Sequence, residues 1–482
     1  MASPPSCTIL SCPEDILNMV FELLSSTDLY SACFVCTYFH SLAMPFLYSN
    51  ICWTWRGRYT ILDRELEWRW LNIPSIIPFL RSVLRRPQLA SHIRTIALDS
   101  SSLAIHHIPG AEYALPITLA GLKRPIELVR EFSNSISFAD LWEQELRSGT
   151  LDAFVAVLLT QTHNLTSLRL DYDFPKNTRI TGMLLRSSLC DPKSSKGILP
   201  SFHRLSHVSI SVEKIWSYST EHKNGLDIAA LFYLPAVQKI SAVVDWPGHV
   251  EPYPIFAWPT EKAPNTSSLE SLDLACVLEG CLGPILSATT KLEKLSWDWV
   301  YQDNYVDDDG VTVMDLGLMV ESLSCVKQTL TDLTILAAPD LRSSKPGEED
   351  VTFKGSLKGL HNLEMLKTFK VPLPFVVGYT GNPMHSLEEM MPKNVEFLTL
   401  TDDLCMRDDD EFEDCIHFHA LKQLLMDPFP SHIRSIHLLL KTTGIERSWT
   451  ATTQHEIMQL CDNAGVHFEV TLLHKRIHYY DI

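Results

Sequence analysis

Leu165-Thr166-Ser167-Leu168-Arg169-Leu170 carries the phrase that organises most of this chain: apolar, two residues, apolar, one residue, apolar. The last two apolar positions alternate as in a strand, so the residues beside them turn to the other face. The phrase returns at Ile93, Ile96, Leu98; at Leu205, Val208, Ile210; at Leu269, Leu272, Leu274; and at Leu292, Leu295, Trp297. It continues at Leu330, Leu333, Ile335; Val395, Leu398, Leu400; and Ile433, Ile436, Leu438. Two copies are degraded: Val237, Ile240 with Ala242, and Leu363, Leu366 with Thr368 in the third place. First positions fall 32 residues apart from Leu205 to Val237, and 33 apart from Leu330 to Leu363. Ankyrin and tetratricopeptide repeats share that period, but their signatures are absent and a three-then-two step is not helical. Apolar helical stretches, such as Leu151 to Leu159 and Leu316 to Leu323, precede copies of the phrase. One strand–helix unit cannot bury its own apolar side, so neighbouring units must stack.

The pattern resembles irregular leucine-rich repeats, although the asparagine usual after the strand is mostly missing and repeat lengths vary. The resemblance implies an α/β fold in which residues 91–475 form an irregular leucine-rich-repeat-like solenoid with a curved parallel sheet, ahead of a tail at 476–482. The long gap between Ile93 and Leu165 reads as an insertion or a lost repeat, holding helices at Ile126 to Phe132 and Phe138 to Leu146. Near the end, Thr453 and Glu456 fit a capping box for a helix to Cys461. Asn463-Ala464-Gly465 stops it, and Phe468 to Leu473 reads as the closing strand.

Upstream, residues 53–90 read as a linking helical segment, with Ile76 to Arg86 its clearest helix. Trp53, Trp55, Trp68 and Trp70 interleave there with Arg56, Arg58, Arg64, Arg69, Arg81, Arg85 and Arg86. That mixture suits single-stranded nucleic acid or a packed joint between domains. Asp63, Glu65 and Glu67 dilute the charge and favour the joint.

Residues 11–52 form a different unit, after a short tail at 1–10. Ser11 and Glu14 fit a capping box; Ile16, Leu17, Val20, Phe21 and Leu24 fall on one helical face. Ser25 to Asp28 ends that helix and caps a second, carrying Leu29, Cys33, Phe34 and Cys36. A third holds Tyr38, Phe39, Leu42, Ala43, Phe46 and Leu47, and Pro45 should kink or end it. So small a unit carries more apolar surface than it can bury on itself. In order, Pro13-Glu14-Asp15-Ile16-Leu17, Val20-Phe21, Leu24, Asp28-Leu29, Val35-Cys36, Phe39, Leu42-Ala43, Pro45 and Leu47-Tyr48 resemble an F-box, here of the fungal type. Cys12 departs from the leucine usual before the proline. The resemblance implies a small three-helix F-box docking on the Skp adaptor, and through it a cullin, in a ubiquitin ligase. The residues it assigns to adaptor contact are Pro13, Ile16, Leu17, Val20, Phe21, Leu24, Leu29, Val35, Phe39 and Leu42.

Of 482 residues, 45% are hydrophobic and 20% charged, an ordinary globular balance. The net charge of -18 argues against a general binder of nucleic acid or anionic membrane, and no apolar run is long enough to span a bilayer. No N-terminal stretch reads as a signal peptide, and the 12 scattered cysteines do not form a disulfide framework, so a cytoplasmic or nuclear location is expected. Tests for chemistry fail. Placing Gly310 at the sixth position of a calcium loop puts Tyr305 and Leu316 where oxygen ligands belong. Cys33 and Cys36 have metal-ligand spacing without a second pair; Cys415, His417 and His419 would share a face of a strand, equally without one. Phosphate-loop, dinucleotide and nucleophile-elbow motifs are absent. The expectation is a non-catalytic receptor without cofactor or metal, whose repeats hold an unknown protein target. The rivals are an interaction scaffold unlinked to ubiquitination and an enzyme with a dispersed cysteine or metal site.

The target would lie on the open face of the strands, formed by residues flanking each second apolar position, such as Ser167 and Arg169 or Lys294 and Ser296. Met365 and Phe397 add apolar surface to that face, and Trp299, Tyr301 and Tyr305, on a loop after the sixth copy, either anchor a target at its edge or pack between repeats.

Overall fold

The computed structural model describes residues 9–62, 65–72, 74–99, 114–171, 179–191, 199–211, 225–244, 256–300, 312–338, 351–378, 387–404, 416–426, 432–440 and 449–472. The chain forms two compact units: Met1–Glu213 with Leu234–Ala236, and Lys214–Tyr233 with Val237–Ile482.

The first unit opens on a short turn, Ile9–Ser11, and three helices: α1 (Glu14–Glu22), α2 (Ser26–Ala32) and α3 (Thr37–Ser49). The box expected of Ser11 and Glu14 does not form, because Ser11 closes the preceding turn and Pro13 is the residue before α1. Ser25 caps α2 as expected, its hydroxyl accepting the Asp28 N–H at 3.2 Å. Pro45 neither ends nor breaks α3. Leu42 and Ala43 before it, and Phe46 and Leu47 after it, all pack on the helical core and hold both halves of α3 in place.

β1 (Asn50–Thr54) follows α3 with no intervening residue and pairs in parallel with β4 (Thr95–Asp99), Ile51 opposite Ile96. Between them lie an antiparallel hairpin, β2 (Arg56–Leu62) with β3 (Glu65–Asn72), and helices α4 (Ile76–Arg85) and α5 (Pro87–Ala90). The helical link expected over 53–90 is therefore strand in its first half. Its aromatic and β-branched residues suit a pleated ladder better than a helix. β5 (Ser167–Asp171) and β6 (His207–Ser211) extend the parallel sheet from β4. The gap between β4 and β5 carries α6 (Leu119–Glu131), α7 (Ala139–Ser148) and α8 (Leu151–Gln161). Asp152 on α8 is buried, and its carboxylate accepts the N–H groups of Ile180 at 2.6 Å and Thr181 at 3.2 Å. These are first-turn donors of the helix Arg179–Cys190, left without partners inside their own helix. Burial pushes the Asp152 carboxyl up to about 7, against the pull of those bonds.

The second unit carries a parallel sheet in the order β7 (Lys239–Val243), β8 (Ser271–Ala275), β9 (Lys294–Val300), β11 (Asp332–Ala338), β13 (Thr368–Pro372), β14 (Phe397–Thr401), β15 (Ser435–Leu440) and β16 (His467–Leu472). The short strands β10 (Thr312–Asp315) and β12 (Val351–Lys354) form a separate parallel ladder. There Asp315 accepts the Leu318 N–H at 2.9 Å and pairs with Lys354 at 2.8 Å. Gly355, at φ +82°, lies so close to Gly317 that a Cβ on it would stand 2.7 Å from the Gly317 nitrogen. The closing helix, Ala451–Asn463, is capped by Thr450, whose hydroxyl accepts the Thr453 N–H at 3.2 Å. Thr453 and Glu456 are thus one turn inside, and Glu456 pairs instead with Lys422 at 2.8 Å.

Second and third apolar positions of the intact copies are buried in their strands, as at Leu272 and Leu274 or Leu398 and Leu400. The degraded copy at Leu363 is misphased by three residues. Leu333 of β11 faces Phe369, so Leu366, Phe369 and Val371 are the true phrase, all buried. Among the described helices, none is long and apolar enough to cross a membrane.

Candidate binding surfaces

Leu17, Phe21, Leu29, Phe39, Leu42 and Ala43 form the core of the N-terminal helical unit, with the Phe21 and Phe39 rings edge to face at 5.4 Å. Five of the ten residues assigned to adaptor contact, Leu17, Phe21, Leu29, Phe39 and Leu42, are therefore spent on this core. Leu24 is half-buried against it, and Pro13, Ile16, Val20 and Val35 are exposed. The five residues placed on one face of α1 split between an inner edge, Leu17, Phe21 and Leu24, and an outer one.

The outer surface is richer than the sequence pattern suggests. Leu23 is 87% exposed, Phe34 73% and Val35 67%; Ile9, Leu10, Met19 and Tyr30 are exposed as well. Ile16, Met19, Val20 and Leu23 recur at three- and four-residue steps along the outer face of α1. Tyr30, Phe34 and Val35 cluster after them, with the Tyr30 and Phe34 rings 4.9 Å apart. Each such side chain gains about 1.5–3 kcal/mol on full burial, a gain this chain leaves unused. Cys33 and Cys36 are half-buried against the core, not ligands in waiting. The Cys36 sulfur accepts the Phe39 N–H at 3.4 Å at the start of α3, and burial raises the Cys33 thiol above its ordinary value.

Aromatic contacts tie this unit to β1 and α4. Tyr48 of α3 stacks on Phe79 of α4 at 5.6 Å; Phe79 meets Trp53 edge-on at 5.1 Å, and Trp53 meets Trp55 at 6.0 Å. Trp55 is fully buried. These two tryptophans are packing residues of a joint. The side chains of Arg58, Arg64, Trp68, Arg69 and Trp70 lie outside the described residues.

The five residues expected to hold a target divide sharply. Trp299 is not on a loop; it is buried within β9. Tyr301 and Tyr305 lie outside the described residues, as does the aspartate run tested for calcium. Met365 falls in the turn before β13 once the phase is corrected, so it does not flank a strand position. Phe397 opens β14 and is 49% exposed on the open face. Among the described residues no three His, Cys, Asp or Glu side chains group as metal ligands. His417 and His419 belong to the helix Ile416–Met426, not to a strand. Cys415 lies outside the described residues.

The F-box-like family model matches residues 9–54. That span covers the three helices and β1. No curated protein matches the chain.

Proposed function

We propose that this protein is a substrate-recognition subunit of a Skp–cullin–F-box ubiquitin ligase, acting in the cytosol or nucleus. The N-terminal domain is F-box-like, and F-box domains typically bind the Skp adaptor. The observation that carries the proposal is the surface on residues 9–35. A self-contained core coexists there with Leu23, Phe34 and Val35 each more than half exposed to water. A patch of that kind marks a protein-binding site. In this reading Ile16, Val20, Leu23, Phe34 and Val35 meet the adaptor, while Leu17, Phe21, Leu29, Phe39 and Leu42 keep the surface in shape. The stacked strand–helix units are leucine-rich-repeat-like, and the open strand face of the second unit holds a protein target. The chain performs no chemistry; it raises the target's effective concentration near the ligase's catalytic subunits.

Binding of the purified chain to the Skp adaptor tests the first half. Wild type should bind, and Leu23→Asp or Phe34→Asp should weaken binding at least about tenfold with no change in thermal unfolding, because neither side chain supports the core. A wild-type chain that ignores the adaptor, or variants that bind it equally, would overturn the assignment.

A further inference from the structure

The register of the second unit sets one residue from each strand side by side on the open face. Lys239 of β7 stands opposite Ser271 of β8, and Ser271 opposite Lys294 of β9. The row continues through Asp332 and Thr368 to Phe397 of β14. Both lysines are exposed, and neither forms an ion pair with a described residue. Two nearby acids share this face, and each accepts a hydroxyl hydrogen bond while keeping its charge. Asp273 accepts a hydrogen bond from the Ser241 hydroxyl at 2.9 Å, and Asp332 one from the Thr331 hydroxyl at 2.7 Å. Glu270 and Glu293, also exposed, lie one residue outside the row, in the turns that lead into their strands. A chain of net charge -18 thus presents in one line an exposed phenylalanine and two exposed cations without an ion pair to a described residue, with Asp332 beside Lys294 the one acid of the line.

The spacings specify a ligand. Lys239 and Lys294 are two interstrand steps apart, about 10 Å, which is about three residues of an extended chain. Phe397 lies three steps beyond Lys294, about 14 Å or about four more residues. We propose that this row binds an extended acidic segment of a partner protein. Carboxylates three residues apart would sit over Lys239 and Lys294, with an apolar residue about four positions further on against Phe397. Asp332, between the second lysine and the phenylalanine, repels an acid in the intervening stretch and so fixes the register. Glutamates elsewhere on the open face, such as Glu469 of β16, lie at the far end of the sheet from the lysines. The inference rests on the reading of this face as the target surface, and it adds what the target offers.

A randomised peptide library selected on the purified full chain tests it. Wild type should enrich peptides with paired acidic residues three apart followed by a large apolar residue. Lys239→Glu with Lys294→Glu should weaken the selected peptide at least about tenfold, and a peptide with lysines for its acids should then prefer the double variant. Phe397→Ser should weaken binding about threefold to tenfold. Adaptor binding, measured on the same preparations, should stay at the wild-type level. No acidic enrichment, or equal binding by the double variant, overturns the inference. If apolar peptides dependent on Phe397 are selected instead, the target face stands and the acidic assignment falls. If only homopolymeric RNA binds in a lysine-dependent way, the protein-ligand assignment falls. Loss of adaptor binding by wild type refutes the ligase reading without touching this one.

Discussion

Two helices of the first unit, α1 and α8, are both apolar and end in opposite states. In α8, every residue from Asp152 to Thr160 is buried; in α1 only Leu17 and Phe21 are. α8 is enclosed by its own chain, so even its polar groups are matched internally: Asp152 caps a neighbouring helix, and the Thr160 hydroxyl donates to the Val157 carbonyl at 2.7 Å. α1 is covered on one side and leaves a second apolar edge uncovered. Apolar content says that a helix will be covered. It does not say whether the cover belongs to the same molecule.

Substitutions should separate the two states. Phe154→Ala in α8 should cost about 3–5 kcal/mol of stability, since nothing can collapse onto the cavity; unfolding in urea measures it. A loss under about 1 kcal/mol would mean that α8 is far less enclosed than its burial implies. The next effect belongs to Asp152. Its folded carboxyl, at about 7, sits above the ordinary 3.8. The folded state therefore holds this proton more tightly than the unfolded chain. Stability from this group is greatest below about 4, falls as pH rises toward 7 and is flat above. The span is on the order of 4 kcal/mol. Asp152→Asn should remove that slope from a series of unfolding curves between pH 5 and 8; an unchanged slope would assign it elsewhere.

On α1 the contrast reverses. Leu23→Asp should leave stability within about 0.5 kcal/mol yet cost about 2 kcal/mol of adaptor affinity. Calorimetry and a melting curve on one sample read both. The smallest effect lies on α7. Hydrogen bonds from Arg130 at 2.7 Å and Arg147 at 2.6 Å hold the Glu143 carboxyl at about 2, well below its ordinary 4.5. Their stabilisation is present above about 4.5 and is lost as pH falls toward 2. Glu143→Gln should cost no more than about 1 kcal/mol at neutral pH, and the difference should fade in high salt.

The strands are legible in the sequence because each intact phrase pairs a two-residue alternation with full burial of its apolar positions, as at Leu295 and Trp297. The copy at Leu363 misleads because Leu366 fits both the first and the second place, and only pairing with β11 decides. β1 is hidden for another reason: Asn50–Thr54 is short, continues directly from a helix and buries Ile51 alone. In the F-box-like unit, helix positions are legible and the division of labour is not. Periodicity places Ile16 and Leu17 within one broad face, and only the packing of α1 against α3 tells inside from outside. Leu23 is masked by its neighbour Leu24, although its seven-residue step from Ile16 marks the outer face.

The seamless passage from α3 into β1 has a practical consequence for genetics. Deleting the F-box-like domain is the direct way to ask what it contributes. Here a cut after Thr54 also removes the first strand of a parallel sheet, stripping the hydrogen-bonded partner from Thr95–Asp99 and opening a fresh edge beside Ile96 and Leu98. Unpaired edges of that kind recruit other chains and aggregate. A truncated allele would thus combine two lesions, loss of the exposed apolar surface and a sticky sheet, and a dominant phenotype from it could come from either. Leu23→Asp separates them, because it silences the surface and leaves the sheet's first strand in place.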